Sequence, residues 1–118
     1  KNDLIVGYRN PRKDDFHRIL ISKAFYFLYR LKIITKLKDP SCPYLLFTSD
    51  LKDYVISQKF NMIDGFWWEF NAIISRTKYK ITQLPINHRV REFGVAKTLI
   101  LSKLPKVGLH HLIKLIKL

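Results

Sequence analysis

The chain has 118 residues, of which 47% are hydrophobic, so it can form one modest core, and its bulk composition does not indicate disorder. Its 22 Lys and Arg residues against 9 acidic residues give a formal net charge of +13, which points to nucleic acid, an anionic membrane or phosphorylated small molecules as partners. The single cysteine, Cys42, excludes an internal disulfide bond and a thiolate metal cluster, and is typical of a small buried residue.

The beginning of the chain predicts a buried strand. Residues 3–7 form a short apolar run closed by a glycine, which is typical of a strand in an α/β sheet. The run begins without an initiator methionine and without the pattern of a signal peptide, so we expect the chain to be a fragment. No stretch of roughly 18 uncharged apolar residues occurs, so the chain as given is not expected to span a bilayer.

A basic turn and a long helix follow this strand. Residues 8–15 combine Asn, Pro and Asp with several basic side chains, which predicts a turn with positive charge. From Phe16 to about Ile34, no proline or glycine interrupts a run rich in Leu, Ile, Phe and Tyr, and this predicts a long, mostly buried helix. Arg18 and Ser22 are four residues apart and therefore share one face of that helix.

The middle of the chain predicts a loop and then two strands and two helices. The loop at residues 36–43 contains two prolines and Asp39. The predicted elements are a strand at residues 44–47, a helix from Ser49 as its cap to about Ser57, a helix at residues 64–76, and a strand at residues 79–84 that ends at Pro85. Strands that alternate with helices favour an α/β architecture over an all-helical one.

The end of the chain predicts a basic loop at residues 88–97 and then two short helices separated by Pro105. The second helix places Leu109, Leu112, Ile113 and Ile116 on one face, against Lys106, His110, Lys114 and Lys117. Such a basic amphipathic helix either lies at a membrane surface, where its lysines favour anionic lipid, or packs on the α/β core with solvated lysines. The sequence leaves both interpretations open.

The connection between the first strand and the first helix predicts a phosphate site. Four side chains carry the prediction: Arg9, Arg12, Arg18 and Ser22. A guanidinium group can donate two parallel hydrogen bonds to phosphate oxygens. A helix N-terminus and a serine hydroxyl add further hydrogen-bond donors. The alternative is a solvated basic loop in which Arg18 forms an ordinary ion pair with Asp14 or Asp15.

The second basic loop predicts another phosphate-binding segment. Its side chains include His88, Arg91 and Lys97, and Gly94 would let backbone N–H groups approach an anion. The alternative is a surface run of charge. His88 has no second His, Cys or carboxylate at ligand spacing, so we expect a hydrogen-bonded structural histidine rather than a metal ligand.

Three acidic residues and a tryptophan pair complete the candidates. Asp39 beside the basic loops is a candidate general base or a group that positions an acceptor. Asp64 and Glu69 are more typical of caps or ion-pair partners. For Trp67 and Trp68, packing in the core is favoured over stacking on a sugar or a place at a membrane interface, because the helix needs apolar mass there.

These blocks, in this order, resemble the second half of family 2 glycosyltransferases of the dolichol-phosphate mannose synthase and bacterial polyprenol-phosphate glycosyltransferase type. Four motifs that together cover essentially the whole chain carry the resemblance: Gly7-Tyr8-Arg9 followed by Arg12, Asp14, Arg18 and Ser22; Asp39 with Cys42, where Pro43 replaces the family's glycine; an acidic-aromatic helix from Asp64 to Glu69 with Ala72; and Pro85, His88, Arg91, Gly94 and Lys97, where Ala96 replaces serine.

The resemblance implies an α/β fold that is the C-terminal portion of a GT-A, Rossmann-like glycosyltransferase domain. Residues 1–97 would be its acceptor-side part, and residues 98–118 would form amphipathic, membrane-interfacial helices. The complete enzyme would transfer a sugar from a nucleotide-sugar to polyprenol (dolichyl) phosphate with inversion. The nucleotide-binding half and its Asp-x-Asp motif are not in this sequence, so the chain alone is expected to be inactive.

The resemblance also implies roles for single residues. The lipid phosphate would be held by Arg9, Arg18 and Ser22, with Arg12 as a further substrate-binding residue. Arg91, together with Lys97, would reach the diphosphate of the donor as negative charge develops on it. Asp39 would be the catalytic carboxylate beside the acceptor phosphate.

The implied partners are the nucleotide-sugar donor, the polyprenol phosphate acceptor and a membrane surface, with a divalent cation (Mg or Mn) whose ligands lie mostly outside this chain. The expected location is the cytoplasmic face of a membrane. Two other functions compete with this one: a small basic nucleic-acid-binding module, and an inactive membrane-surface remnant. Nucleic acid is not the expected partner, because the arginines gather in two loops and neither a recognition helix nor a ribonucleoprotein aromatic motif occurs.

Overall fold

The computed structural model describes residues 1–90, 92–94 and 103–118. In chain order the regular elements are β1 (Leu4–Arg9), α1 (Phe16–Lys32), β2 (Leu45–Phe47), α2 (Ser49–Ile56), a 3-10 turn (Ile63–Gly65), α3 (Phe66–Ser75), β3 (Ile81–Ile86) and α4 (Leu104–Lys117). The expectation of a mixed α/β chain is therefore confirmed.

The described strands form one mixed sheet in the order β2-β1-β3. β1 pairs in parallel with β3, from Leu4 opposite Ile81 to Arg9 opposite Ile86. It pairs in antiparallel fashion with β2, which places Leu4 opposite Phe47. A parallel pair needs a crossover connection, and the chain supplies it with α1, β2, α2 and α3 between β1 and β3. The strand that begins the chain thus occupies the centre of the sheet.

The two faces of the sheet differ in burial. Side chains alternate along β1, so Leu4 and Val6 point to one face, where they are buried against Phe70 and Ile74 of α3. On the other face, Leu46 of β2 is 69% exposed. The apolar run at the start of the chain therefore forms the predicted strand, with one face of the sheet covered and the other open to solvent.

The strand predicted to end at Pro85 continues to Ile86. Pro85 stands opposite Tyr8 of β1 in the parallel register. Proline lacks a backbone N–H, and a strand tolerates it at an edge, where that position is not needed for a neighbouring strand. Because β3 lies at one edge of the described sheet, the proline does not end the pairing.

The first helix matches the predicted position but is much more exposed than predicted. Tyr29 is its buried residue, whereas Phe16, Phe27 and Leu31 are exposed. The helix packs on the rest of the protein along one side only, where Phe25 and Tyr26 flank the ring of Trp68. Its apolar composition therefore does not reflect burial on all sides, and that part of the prediction is wrong.

Two apolar clusters form the core. One lies between the sheet and the helices after it and contains Leu4, Val6, Leu37, Leu51, Phe70 and Ile74. The other lies where α1, α3 and α4 meet and contains Tyr29, Ile33, Trp68, Ala72 and Leu115. The hydroxyl of Tyr29 donates a 3.0 Å hydrogen bond to the carbonyl oxygen of Trp68 inside this second cluster. The second cluster is what holds α4 against the body of the protein.

The starts of the middle helices differ slightly from the prediction. Ser49 is the first residue of α2, and the capping position belongs to Thr48, whose side chain makes no capping hydrogen bond. α3 begins at Phe66, after the 3-10 turn that contains Asp64. Differences of one or two residues at helix ends are expected when local patterns alone define them.

The last helix departs from the prediction in two ways. Pro105 lies in the first turn of α4, a position that proline favours, and does not separate two described helices. The residues of the first predicted helix, before Lys103, lie largely outside the described residues. Among the described side chains of α4, Leu115 is buried, whereas Leu109 and Ile113 of the predicted apolar face are exposed.

Candidate functional site

Arg9 and Asp39 form a two-point ion pair at the end of β1. Arg9 Nε donates a hydrogen bond to Asp39 Oδ2 at 2.6 Å, and Arg9 Nη2 donates to Oδ1 at 2.8 Å. The backbone N–H of Arg9 reaches Oδ2 at 3.3 Å, and the hydroxyl of Ser41 donates to Oδ1 at 2.9 Å. Both oxygens of the buried Asp39 are thus engaged, as a buried charge requires.

Arg12 and Arg18 share the carboxylate of Asp14. Arg12 donates to Asp14 Oδ2 from Nη2 at 2.6 Å and from Nε at 3.0 Å, and Arg18 Nη1 lies 3.3 Å from Oδ1. Arg12 Nη1 also donates to Ser22 Oγ at 2.8 Å. Arg18 therefore forms the ion pair that the alternative interpretation expects, and the same contacts place Arg12 and Ser22 beside it.

Both carboxyl groups have a pKa below the ordinary value of an aspartic acid. Burial by itself raises the pKa of Asp39, but the hydrogen bond and the charge of Arg9 outweigh it and hold that pKa below its ordinary value. Burial also raises the pKa of Asp14, and the hydrogen bond of Arg12 with the charges of Arg12 and Arg18 overcomes it, so this pKa is lowered too. Both carboxyl groups are therefore ionised at neutral pH.

Two cavities adjoin this arginine cluster, which consists of Arg9, Arg12 and Arg18. The larger one has a volume of about 410 Å³ and lies beside β1, the start of α1 and the loop that carries Asp39. The smaller one, of about 250 Å³, lies between α1 and α4. Arg9, Arg12, Ser22 and Trp68 line both of them. The structure thus brings together five of the predicted site residues: Arg9, Arg12, Arg18, Ser22 and Asp39.

Two lysines add positive charge to the larger cavity. Lys23 and Lys38 are among its lining residues. The ammonium group of Lys38 lies 4.5 Å from the centre of the Tyr8 ring, which is cation–π geometry. The larger cavity is therefore electropositive even though the arginines beside it are paired with carboxylates.

The second basic loop touches the first through His88. The backbone N–H of Lys13 donates to His88 Nδ1 at 2.9 Å, so His88 is hydrogen-bonded, as the sequence predicts. Arg91 and Lys97, the residues predicted to reach a donor diphosphate, lie outside the described residues. Their roles stay predictions.

The remaining acidic and aromatic candidates have structural roles. Glu69 is buried and accepts hydrogen bonds from the backbone N–H groups of Asn61 and Met62, each at 2.7 Å. Trp68 lies in the second core cluster and also lines both cavities. Trp67 packs edge-on against Phe66. The prediction that these tryptophans pack in the core is confirmed.

The part of the chain that the structure describes contains no group of three His, Cys, Asp or Glu side chains that could hold a metal ion. Asp14 and Asp39 each face arginines rather than each other. The described residues thus offer no fit for the divalent cation that the resemblance implies.

Several lining residues were not predicted from the sequence. Ser41 and Lys38 reach the cavities from the loop after α1, and His111 reaches the smaller cavity from α4. Ser41 is only two residues from Asp39, so the loop could have drawn attention to it. For His111 no local pattern exists, because its place depends on how α4 packs against α1.

Comparison with family models, with curated proteins and with solved structures finds no match for this chain. Within the described residues, no helix combines the length and the apolar character needed to cross a membrane.

Proposed function

We propose that this chain is the acceptor-binding part of a family 2 glycosyltransferase and that its arginine cluster binds the phosphate group of polyprenol phosphate. The observation that carries the proposal is the convergence of Arg9, Arg12, Arg18 and Ser22 on two adjoining cavities. Guanidinium and hydroxyl groups are the donors that a phosphate monoester needs, and arginine can meet two of its oxygens at once.

The balance of charge around the cluster favours an anion. The three arginines face two carboxylates, Asp14 and Asp39, and two lysines line the larger cavity. Taken over both adjoining cavities, five positive and two negative side chains leave a net charge of three positive units, whereas one phosphate monoester carries about −1.5 to −2 at neutral pH. The surroundings of a phosphate group at the cluster would thus be positive overall.

In the proposed reaction an oxygen of the lipid phosphate attacks the anomeric carbon of the sugar from the face opposite the leaving group. A bond forms between that oxygen and the sugar, and the bond from the sugar to the nucleoside diphosphate breaks, which inverts the anomeric centre. Arg91 and Lys97 are proposed to stabilise the charge on the departing diphosphate.

The GT-A fold and the division into residues 1–97 and 98–118 belong to the same proposal. A parallel pair of strands joined by a crossover, with arginines where β1 ends, is compatible with an α/β domain that binds ligand at the carboxyl ends of its strands. Residues 98–102 lie outside the described range, so only α4 supports the C-terminal unit.

The proposal predicts that Arg18→Ala weakens the binding of a short prenyl phosphate. Removing one charge-assisted hydrogen-bond donor should lower the affinity by about tenfold to a hundredfold. Isothermal titration calorimetry with geranyl phosphate measures this directly. In the complete enzyme, Arg18→Ala and Arg91→Ala should each abolish formation of the lipid-linked sugar.

Arg30→Ala is the matched control, because Arg30 is an exposed arginine of the same helix that lies over the ring of Tyr26 and lines neither cavity. It should bind geranyl phosphate as the unaltered chain does. Equal binding by the Arg18 and Arg30 variants would contradict the phosphate site, and retained sugar transfer in both the Arg18 and Arg91 variants would contradict the glycosyltransferase assignment. Phosphate binding without any sugar transfer would favour an inactive remnant.

A further inference from the structure

The smaller cavity, between α1 and α4, has two chemically different sets of lining residues. Its polar lining comes from β1, the two loops beside it and the beginning of α1: Arg9, Arg12, Arg18, Ser22 and Ser41. Its apolar lining comes from α1, α3 and α4: Ile21, Phe25, Trp68, Val107 and Gly108, with His111 next to them. A ligand that fills it would need an anionic end and an apolar body.

Arg18, which lines the arginine end of this cavity, has one donor without a partner. Its Nε is buried and has no hydrogen-bond partner among the described residues, although Nη1 of the same side chain pairs with Asp14. A buried N–H group without a partner is costly in a folded protein. The hydrogen bonds of Arg18 to the described residues are therefore not complete.

A glycine of α4, Gly108, lines the apolar end of the cavity. Where a Cβ atom would stand on Gly108, no described atom lies within 4 Å. Glycine is a poor residue for the interior of a helix, and Gly108 lies inside α4. A larger side chain at this position would therefore enter open space beside the cavity.

We propose that this cavity binds the phosphate-proximal hydrocarbon segment of a phosphorylated lipid and that Gly108 sets its width. The inference rests on the proposed function, because it takes the arginine cluster as the phosphate site. It adds a place for the chain: the first carbon atoms lie between Phe25 and Trp68 on one side and α4 on the other. The rings of Phe25 and Trp68 are 4.7 Å apart at their centres and form a continuous apolar surface.

The test compares two soluble phosphate esters, methyl phosphate and hexyl phosphate, by isothermal titration calorimetry on the whole chain. Both present the same phosphate group, and each further buried methylene should strengthen binding about fourfold. Hexyl phosphate should therefore bind more tightly. Gly108→Leu should lower the affinity for hexyl phosphate by about tenfold or more, because its side chain occupies the space, and should leave methyl phosphate binding unchanged.

His110→Leu is the matched control, since His110 precedes the cavity-lining His111 in α4, is exposed, and does not line the cavity. Equal affinities of the unaltered chain for hexyl and methyl phosphate, or a Gly108→Leu variant that still binds hexyl phosphate fully, would overturn the inference. Circular dichroism of the variant checks that α4 is intact. If the unaltered chain binds neither ester, the result contradicts the phosphate site of the proposed function itself.

A second arm identifies the source of the ligand. A long-chain prenyl phosphate in phosphatidylcholine vesicles replaces the soluble esters, and binding is measured by flotation. Loss of binding by Gly108→Leu in both arms supports a lipid ligand. Loss confined to the soluble ester would overturn the assignment to a lipid and leave a site for small phosphate esters.

Discussion

At the scale of single residues, the hydrogen bonds of Asp39 limit what it can do chemically. Both of its oxygens accept hydrogen bonds, and the side chain of Arg9 donates two of these bonds. Arg9 also holds the pKa of Asp39 below its ordinary value. A carboxylate in that state is a weak base. A phosphate monoester is mostly ionised at neutral pH and needs no base to make it a nucleophile. We therefore favour a role for Asp39 in positioning Arg9.

Asp39→Asn should destabilise the fold by about 2 to 3 kcal/mol, because the largely buried guanidinium of Arg9 then loses its ionised partner. Urea unfolding followed by circular dichroism measures the free energy. Asp53→Asn is the control, since Asp53 pairs with Lys52 at an exposed position where such pairs contribute about 0 to 1 kcal/mol. Similar losses in the two variants would contradict the importance of the buried pair.

The same pair should make the stability depend on pH. Because the pKa of Asp39 is lower in the folded protein than in the unfolded chain, its stabilising contribution is complete above the unfolded value of about 3.9. It is lost as the pH falls from there through the folded pKa. The unaltered chain should therefore lose more stability than Asp39→Asn between about pH 5 and pH 2, and parallel curves for the two would contradict the assignment.

At the scale of elements, α4 packs on the protein through Leu115, which is not part of its predicted apolar face. Leu115 packs against Tyr29 and Ile33 of α1 and Trp68 of α3. His111 bonds to the carbonyl oxygen of Asp64 and lies beside the ring of Phe25. The two interpretations left open by the sequence are thus compatible, because one side of α4 packs on the core while apolar residues on another side stay exposed.

Leu115→Ala should destabilise the protein by about 2 to 4 kcal/mol, because it removes a buried side chain from the cluster that holds α4. Ile116→Ala, at the next position and 73% exposed, should change the free energy of unfolding by less than about 0.5 kcal/mol. Thermal or urea unfolding of both variants measures the difference. A large effect at Ile116 with none at Leu115 would show that the helix packs by the other face.

At the scale of the whole molecule, the net charge of +13 indicates an anionic partner. Charge alone does not distinguish an anionic membrane from nucleic acid. The exposed apolar residues Leu109, Ile113 and Ile116 of α4, close in sequence to Lys106 and Lys117, favour a membrane surface, since a nucleic acid gains little from apolar contacts of this kind.

The chain should therefore float with vesicles that contain phosphatidylglycerol, and Leu109→Glu should weaken this binding by about tenfold, because an apolar contact is lost and a negative charge is added. Ile56→Glu is the control, since Ile56 is also an exposed apolar residue and lies on α2. Binding to a random oligonucleotide that falls steeply with salt, together with no flotation, would instead favour the nucleic-acid-binding alternative.

The sequence by itself determined five polar residues of the candidate site and most of the elements that carry them. The apolar run before Gly7 predicts β1, and the uninterrupted run after Phe16 predicts α1, because a strand and a helix are encoded by local periodicity. The four-residue spacing of Arg18 and Ser22 places both on one side of that helix. These features depend on neighbours in the chain and need no knowledge of the tertiary structure.

Only the tertiary structure decided which groups meet. Asp39 reaches Arg9 from 30 residues away, and Gly108 and His111 join the cavity because α4 packs on α1. The burial of each helix also depends on what lies against it, so the apolar α1 is mostly exposed and α4 buries Leu115. Contacts between distant segments follow from the complementary shapes of whole surfaces, which no local pattern in the sequence records.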